Sequence, residues 1–154
     1  MRALIVAGAI CAFGAALEGI AAGGGVRQHL RIVRLPRYSP PLGLWIAIGL
    51  LYYAACFVIA YRILERGSDR VGLLALALLL ALMVANAGWN YLFFRRKALG
   101  ASAVFFVPYA FLASGLLLVL VRLDAVAAWS FLLYVIYLPY AAWWLFAVRR
   151  ANSQ

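Results

Sequence analysis

VANAGWNYLFF, the sequence from Val84 to Phe94, closes an apolar run that begins near Val71. The run is followed at once by three basic residues, Arg95, Arg96 and Lys97. A helix rises about 1.5 Å per residue, so a run of about 24 residues reaches across a hydrocarbon core of ~30 Å. We therefore predict a transmembrane helix over 71–94 that ends at a basic membrane interface.

Two asparagines stand one helical turn apart in this run, Asn86 and Asn90, with Trp89 between them. An amide in hydrocarbon costs free energy unless it is hydrogen-bonded. Both side chains are therefore expected to face other helices or a polar cavity rather than lipid. Asn86 in particular marks the interior of the protein.

The composition indicates an integral membrane protein. The chain has 154 residues, of which 69% are hydrophobic and 12% are charged, and its mean hydropathy is +1.02. This is more apolar surface than a soluble core of that size can bury. The net charge of +10 would suit nucleic acid, but the basic residues lie at the ends of apolar runs, so we expect no nucleic-acid partner. Cys11 and Cys56 both lie in apolar runs, and we expect neither a disulfide framework nor a metal site.

The apolar runs predict one all-α domain, 1–154, built as a bundle of five transmembrane helices. The predicted spans are 3–22, 42–61, 71–94, 98–121 and 125–148. Arg2 followed by an apolar stretch resembles a signal peptide, but the length of the run and Glu18 near its end favour a retained span.

The first loop, residues 24–41, is long for so small a bundle and carries four arginines. Long ordered loops are often functional, so this loop is a candidate lid over one mouth of the bundle. The alternative is a basic loop that lies on anionic lipid headgroups.

The orientation follows from the basic residues. The side of the membrane with the first loop, the third loop and the C-terminus carries nine Lys and Arg residues, and the opposite side carries five. The positive-inside rule then places the C-terminus in the cytoplasm and the N-terminus outside. We expect a bacterial membrane, with an organelle membrane as the alternative.

A ridge of small residues recurs every four positions on the third span, at Ala77, Ala81 and Ala85. Small side chains allow two helices to approach closely. The ridge predicts a tight contact either within the bundle or across a homodimer.

Two stretches resemble the translocator protein family, also called tryptophan-rich sensory proteins. Asn86-Ala-Gly-Trp89-Asn-Tyr-Leu-Phe93-Phe94 is similar to the third-helix signature of that family, and Pro139-Tyr140-Ala-Ala-Trp143-Trp-Leu-Phe146-Ala147 is similar to its fifth-helix signature. A third stretch, Pro36-Arg-Tyr38-Ser-Pro40-Pro41, resembles the family's first loop. The resemblance implies a five-helix membrane protein that binds tetrapyrroles and other hydrophobic small molecules.

One departure from the family lies on the second span. Family members carry Pro-Val-Trp where this chain has Ala47-Ile48-Gly49, and that tryptophan is linked in the family to the handling of porphyrin. Gly49 at this position argues against carrying over porphyrin degradation, whereas tetrapyrrole binding is still what the resemblance implies. Trp45, one turn earlier on the same helical face, is the candidate replacement for it.

The candidate ligand-binding residues combine aromatic side chains, one amide and two loop arginines. Aromatic side chains with polar tips suit a large, planar, mostly apolar ligand. The alternative is that these aromatics only pack or form the interfacial belt. The candidates are Arg34, Arg37, Pro41, Trp45, Tyr53, Asn86, Trp89, Tyr140, Trp143 and Ala147.

Catalytic groups are sparse, because the chain has one histidine and four acidic residues. Glu18 is the one acidic residue in a predicted span, and it is the weak catalytic candidate, with an arginine of the first loop or the headgroups as its expected partner. His29 could ligate a haem iron, but a lone loop histidine is more often solvated. We expect a binding protein that needs no cofactor. The alternatives are a small enzyme that acts on a lipidic or isoprenoid substrate, and a helper subunit of a membrane complex.

Overall fold

The computed structural model describes residues 1–67 and 69–153, which form helices joined by short loops. Five of the helices in this described part are long and apolar enough to cross a membrane, which confirms the all-α five-helix prediction. The helices are α1 (Arg2–Ala22), α2 (Val26–Ile32), α3 (Leu42–Arg66), α4 (Arg70–Asn90, continued by a π-helical turn over Tyr91–Arg95), α5 (Leu99–Leu123) and α6 (Ala125–Ala151).

The five long helices form a closed ring. Helix α1 packs against α3 and α4, α6 packs against α3 and α5, and α5 returns to α4. The buried core includes Ile59, Leu82 and Phe131 at 0% exposure. Large apolar side chains such as Leu51 and Leu133 lie on the outer surface at 70% and 75% exposure. An apolar outer surface is what a bundle needs in lipid, where the helices satisfy their own backbone hydrogen bonds.

A glycine allows α1 to approach its neighbours. Gly14 is buried, and a Cβ atom at this position would overlap the end of the Met83 side chain and contact the Tyr53 ring. This close approach brings the second half of α1 to the inner faces of α3 and α4.

Two aspartates cap helices at one end of the bundle. Asp69 Oδ1 accepts from the Gly72 backbone N–H at 2.7 Å, and Asp124 Oδ1 accepts from the Ala127 N–H at 2.8 Å. The other carboxylate oxygen of Asp124 pairs with Arg62 and Arg66 at 2.8 Å each, so it joins α3 to the start of α6. Burial raises the pKa of Asp124, but these hydrogen bonds and charges outweigh burial and hold the pKa below its ordinary value.

The structure corrects several predicted boundaries. Helix α3 runs to Arg66, so Arg62 and Glu65 are helical rather than loop residues. Helix α5 runs from Leu99 to Leu123, beyond the predicted end at 121, with Pro108 inside it, and membrane helices tolerate such a proline. The first loop also contains a helix, α2, which its composition alone did not predict.

The alanine ridge lies on the outside of α4. Ala77 and Ala81 are exposed and Ala85 is half-buried. The exposed residues Ala77 and Ala81 are therefore available to a second molecule, and a homodimer through this face stays a prediction.

Candidate functional site

A cavity of about 440 Å³ lies inside the bundle, close to the ends of the helices that the first loop connects. Each of the five long helices contributes to its wall, and α2 contributes Val26 and Leu30. The first loop therefore forms part of the wall of this cavity. Whether it acts as a lid stays a prediction.

Glu18 is the central polar group of the wall. Its Oε2 accepts hydrogen bonds from the Tyr53 hydroxyl at 2.7 Å and from Asn86 Nδ2 at 2.8 Å. Its Oε1 accepts from Asn90 Nδ2 at 3.1 Å. The sequence pointed to an arginine of the first loop or the headgroups, and this was wrong, because α1 packs against α4 and Glu18 lies directly beside the asparagines of α4. Both asparagines are thus hydrogen-bonded in the interior, as their cost in lipid predicted.

Aromatic rings form most of the remaining wall. Trp45 of α3 lies 4.8 Å from Trp144 and 6.3 Å from Tyr137 of α6, measured between ring centroids. Trp89 of α4 stacks on Phe93 with centroids 5.0 Å apart. Phe93 continues this chain of rings to Trp144 at 5.6 Å. Aromatic rings from α3, α4 and α6 therefore line the cavity.

A π-helical turn over Tyr91–Arg95 carries Phe93 and Phe94 at the end of α4. The wider turn shifts the positions of the following side chains around the helix axis, and such turns are frequent at functional sites. Phe93 is fully buried, and Phe94 lines the cavity. The backbone then reverses at Lys97, whose φ is 53°.

Four of the ten predicted ligand-binding residues line the cavity, and Gly49 lines it with them. The wall includes Trp45, Tyr53, Asn86 and Trp89. A Cβ at Gly49, where family members have tryptophan, would meet no atom within 4 Å. Trp45 and Gly49 share the same wall, as the proposed replacement requires.

The other six predicted residues lie elsewhere. Arg34, Arg37 and Pro41 are exposed on the first loop. Tyr140, Trp143 and Ala147 of α6 are not part of the cavity wall. Their part in binding stays a prediction.

The structure brings a different face of α6 to the cavity. Its residues there include Tyr134, Tyr137, Ala141 and Trp144, which recur at the three- and four-residue spacing of one helix face. That periodicity is the signal that could have found them. The resemblance pointed instead to Trp143, whose side chain is 45% exposed.

The end of the first loop is tied to α6 by three sets of hydrogen bonds. The Trp144 indole N–H donates to Ser39 Oγ at 2.8 Å, and the Tyr140 hydroxyl donates to the Tyr38 carbonyl at 2.8 Å. The side-chain amide of Asn152 bonds both the backbone N–H and the carbonyl of Arg34 at 3.0 Å. These bonds fix the end of the first loop against α6.

The start of the first loop is held by His29, which the sequence predicted to be solvated. That prediction was wrong, because the imidazole packs edge-on against Phe93 and Phe94 and is 4% exposed. Burial lowers the pKa of His29, and the charge of Lys97 lowers it further. The neutral ring is the form that suits this aromatic contact.

The geometry agrees with a comparison against protein families. The TspO/MBR family model matches residues 6–150, nearly the whole chain. The chain belongs to the TspO/MBR family. No curated protein matches it at a significant level.

Membership in the TspO/MBR family, together with the five apolar helices, makes this an integral membrane protein of a sensory and binding family. The aromatic wall and the polar cluster around Glu18 are parts of the cavity that a ligand would contact. The chemistry that this wall offers is recognition of a flat, apolar molecule with few polar groups.

Proposed function

We propose that this protein is a membrane receptor or carrier that binds a flat, mostly apolar small molecule in the cavity, with tetrapyrroles such as porphyrin or haem as the ligand class. The observation that carries the proposal is the cavity itself, walled by Trp45, Trp89 and Trp144 on three different helices. Its volume of about 440 Å³ falls in the usual range of small-molecule pockets.

The acidic and basic groups considered for ligand binding lie in different places. Glu18 lies on the cavity wall, and Arg34 and Arg37 are exposed on the first loop, outside that wall. The carboxylates of a tetrapyrrole would pair with these arginines at the mouth, where water lowers the cost of holding the charges. The apolar macrocycle would lie between the indole rings.

The test is a titration of protoporphyrin into the protein in lipid nanodiscs, followed by quenching of tryptophan fluorescence and by the porphyrin absorbance. We expect saturable binding that weakens about tenfold in Trp45→Phe and Trp89→Phe, because each variant removes aromatic contact area from the wall. Trp129→Phe is the matched control, since Trp129 is 70% exposed and is not part of the cavity wall.

Trp143→Phe tests the residue that the family resemblance indicates, whereas Trp144→Phe tests its neighbour, which lines the cavity. We expect Trp143→Phe to bind like the wild type, whereas Trp144→Phe weakens binding. Absence of saturable binding in the wild type would overturn the proposal. Equal weakening in Trp45→Phe and Trp129→Phe would move the ligand out of this cavity.

A further inference from the structure

Glu18 is the only charged residue among the described residues that form the cavity wall. Among residues 1–67 and 69–153, no Lys, Arg or His side chain forms an ion pair with it. An ionisable group inside a membrane is costly and is normally paired or functional. The three partners of Glu18 are neutral, so they solvate its carboxylate without balancing its charge.

The hydrogen bonds of Glu18 leave one acceptor position open. A carboxylate offers about four lone-pair sites on its two oxygens. Tyr53 and Asn86 take two sites on Oε2, and Asn90 takes one on Oε1. Oε1 can therefore accept one more hydrogen bond, and three fixed donors hold the carboxylate in place for it.

Two further polar atoms of the wall are unpartnered. The Trp89 indole Nε1 and the Tyr52 hydroxyl are buried, and neither has a hydrogen-bond partner in the described part of the chain. Tyr52 is 3% exposed. Both residues line the same cavity as Glu18. Buried polar groups are nearly always satisfied, so two unpaired ones at one cavity mark this wall as a place in the described bundle where polar partners are missing.

We propose that the natural ligand carries a protonated nitrogen on its flat apolar body, and that this nitrogen donates to Glu18 Oε1. The inference rests on the proposed binding of a flat, mostly apolar molecule in this cavity, and within that proposal it favours an aromatic organic cation over haem or protoporphyrin, whose charged side groups at neutral pH are carboxylates. A cation supplies both the missing charge and the missing donor, and the pair forms where water is scarce and charge attraction is strong. A carboxylate of the ligand is repelled at this depth and must face the loop arginines.

The experiment uses three probes with one aromatic core: 1-pyrenemethylamine, 1-pyrenemethanol and 1-pyrenecarboxylic acid. Each is titrated at neutral pH into the full-length protein in phosphatidylcholine nanodiscs, and energy transfer from tryptophan to pyrene is measured. Nanodiscs without protein correct for partition into lipid. We expect the ammonium probe to bind about tenfold or more tightly than the alcohol, and the acid to bind most weakly.

Two variants assign this preference to one residue. In Glu18→Gln the preference for the ammonium probe disappears while the alcohol binds as before. The matched control is Glu65→Gln, in which the preference for the ammonium probe is unchanged. Glu65 is exposed and bonds only Tyr61 within the described chain. Circular dichroism confirms folding, and if Glu18→Gln does not fold, the wild-type ranking of the three probes decides alone.

Equal binding of the three probes, or a preference for the ammonium probe that survives Glu18→Gln, overturns the inference and leaves the proposed function standing. Saturable binding of none of the probes overturns the inference, and absence of protoporphyrin binding as well removes the proposed function. The two failures are therefore distinguishable.

Discussion

The Tyr53 hydroxyl donates to Glu18 Oε2 over 2.7 Å, and this bond joins α3 to α1 at the cavity wall. Removing it in Tyr53→Phe leaves the carboxylate with two donors instead of three. We expect the free energy of unfolding to fall by roughly 1–2 kcal/mol, as measured by unfolding in mixed micelles with sodium dodecyl sulfate.

The matched control is Tyr61→Phe, which removes another Tyr–Glu hydrogen bond of α3. Tyr61 bonds Glu65 at 2.6 Å on the surface of the same helix, where water can replace the bond. Little change in stability is expected. A loss equal to that of Tyr53→Phe would contradict the interior role of the Glu18 bond.

Asp124 makes stability depend on acid. Because its pKa is held below the ordinary value of 3.8, the folded state binds the proton less tightly than the unfolded state. Its contribution is therefore fully present above that ordinary value and is lost as the pH falls through the lower, folded pKa. In Asp124→Asn we expect a lower melting temperature at neutral pH and a weaker decline in acid, measured by thermal melts in detergent.

Asp69→Asn is the control for this experiment. Asparagine caps helices about as well as aspartate does, and the structure shows no ion pair for Asp69 in the described residues. The melting temperature should change less than in Asp124→Asn. An equal drop would show that capping, and not the arginine pairs, accounts for the effect.

His29 makes the attachment of α2 to the bundle depend on pH. Like the contribution of Asp124, this attachment weakens as the pH falls. Its lowered pKa means that the proton binds more tightly when the ring leaves the contact with Phe93 and Phe94. The attachment is full above the ordinary value of 6.5 and weakens as the pH falls from there towards the lowered pKa. We expect amide hydrogen exchange in α2, corrected for its intrinsic rate, to accelerate across that interval.

His29→Phe should remove this pH dependence, because phenylalanine keeps the aromatic contact and cannot be protonated. Exchange in α2 that accelerates equally in the wild type and in His29→Phe would assign the effect to another group.

The outer face of α4 is expected to form a homodimer interface. Ala81 is exposed in the middle of the ridge, and Ala81→Trp places a large side chain where two helices would meet closely. We expect the variant to be monomeric in native mass spectrometry, while Leu118→Trp, on an exposed position of α5, keeps the wild-type state. A monomeric wild type would remove the dimer prediction.

The five spans could be predicted from the sequence because lipid imposes length and hydropathy on every helix. The inward orientation of Asn86 and Asn90 could also be predicted, because an unpaired amide in lipid costs free energy. The helical state of Arg62 could not be predicted from hydropathy, because polar residues can continue a helix beyond the hydrocarbon. Helix α2 was missed since seven residues carry too weak a periodic signal.

The site was predicted only in part. Trp143 and Trp144 are adjacent, and the resemblance favoured the first, although only the second shares a helix face with Tyr134 and Tyr137. The partners of Glu18 and the burial of His29 depend on contacts between segments far apart in the chain. Those contacts arise from packing, such as the approach at Gly14, that hydropathy does not encode.

The most direct test of ligand binding in the cavity is native mass spectrometry of the protein released gently from the membranes in which it is made. Gly19→Trp places an indole at the cavity wall, and Gly8→Trp is its control on the same helix outside the cavity; a Cβ at either glycine meets no atom within 4 Å. We predict a bound aromatic small molecule in the wild type and in Gly8→Trp, and its loss in Gly19→Trp. A bound molecule retained in Gly19→Trp, or none in any of the three, would contradict a ligand site in this cavity.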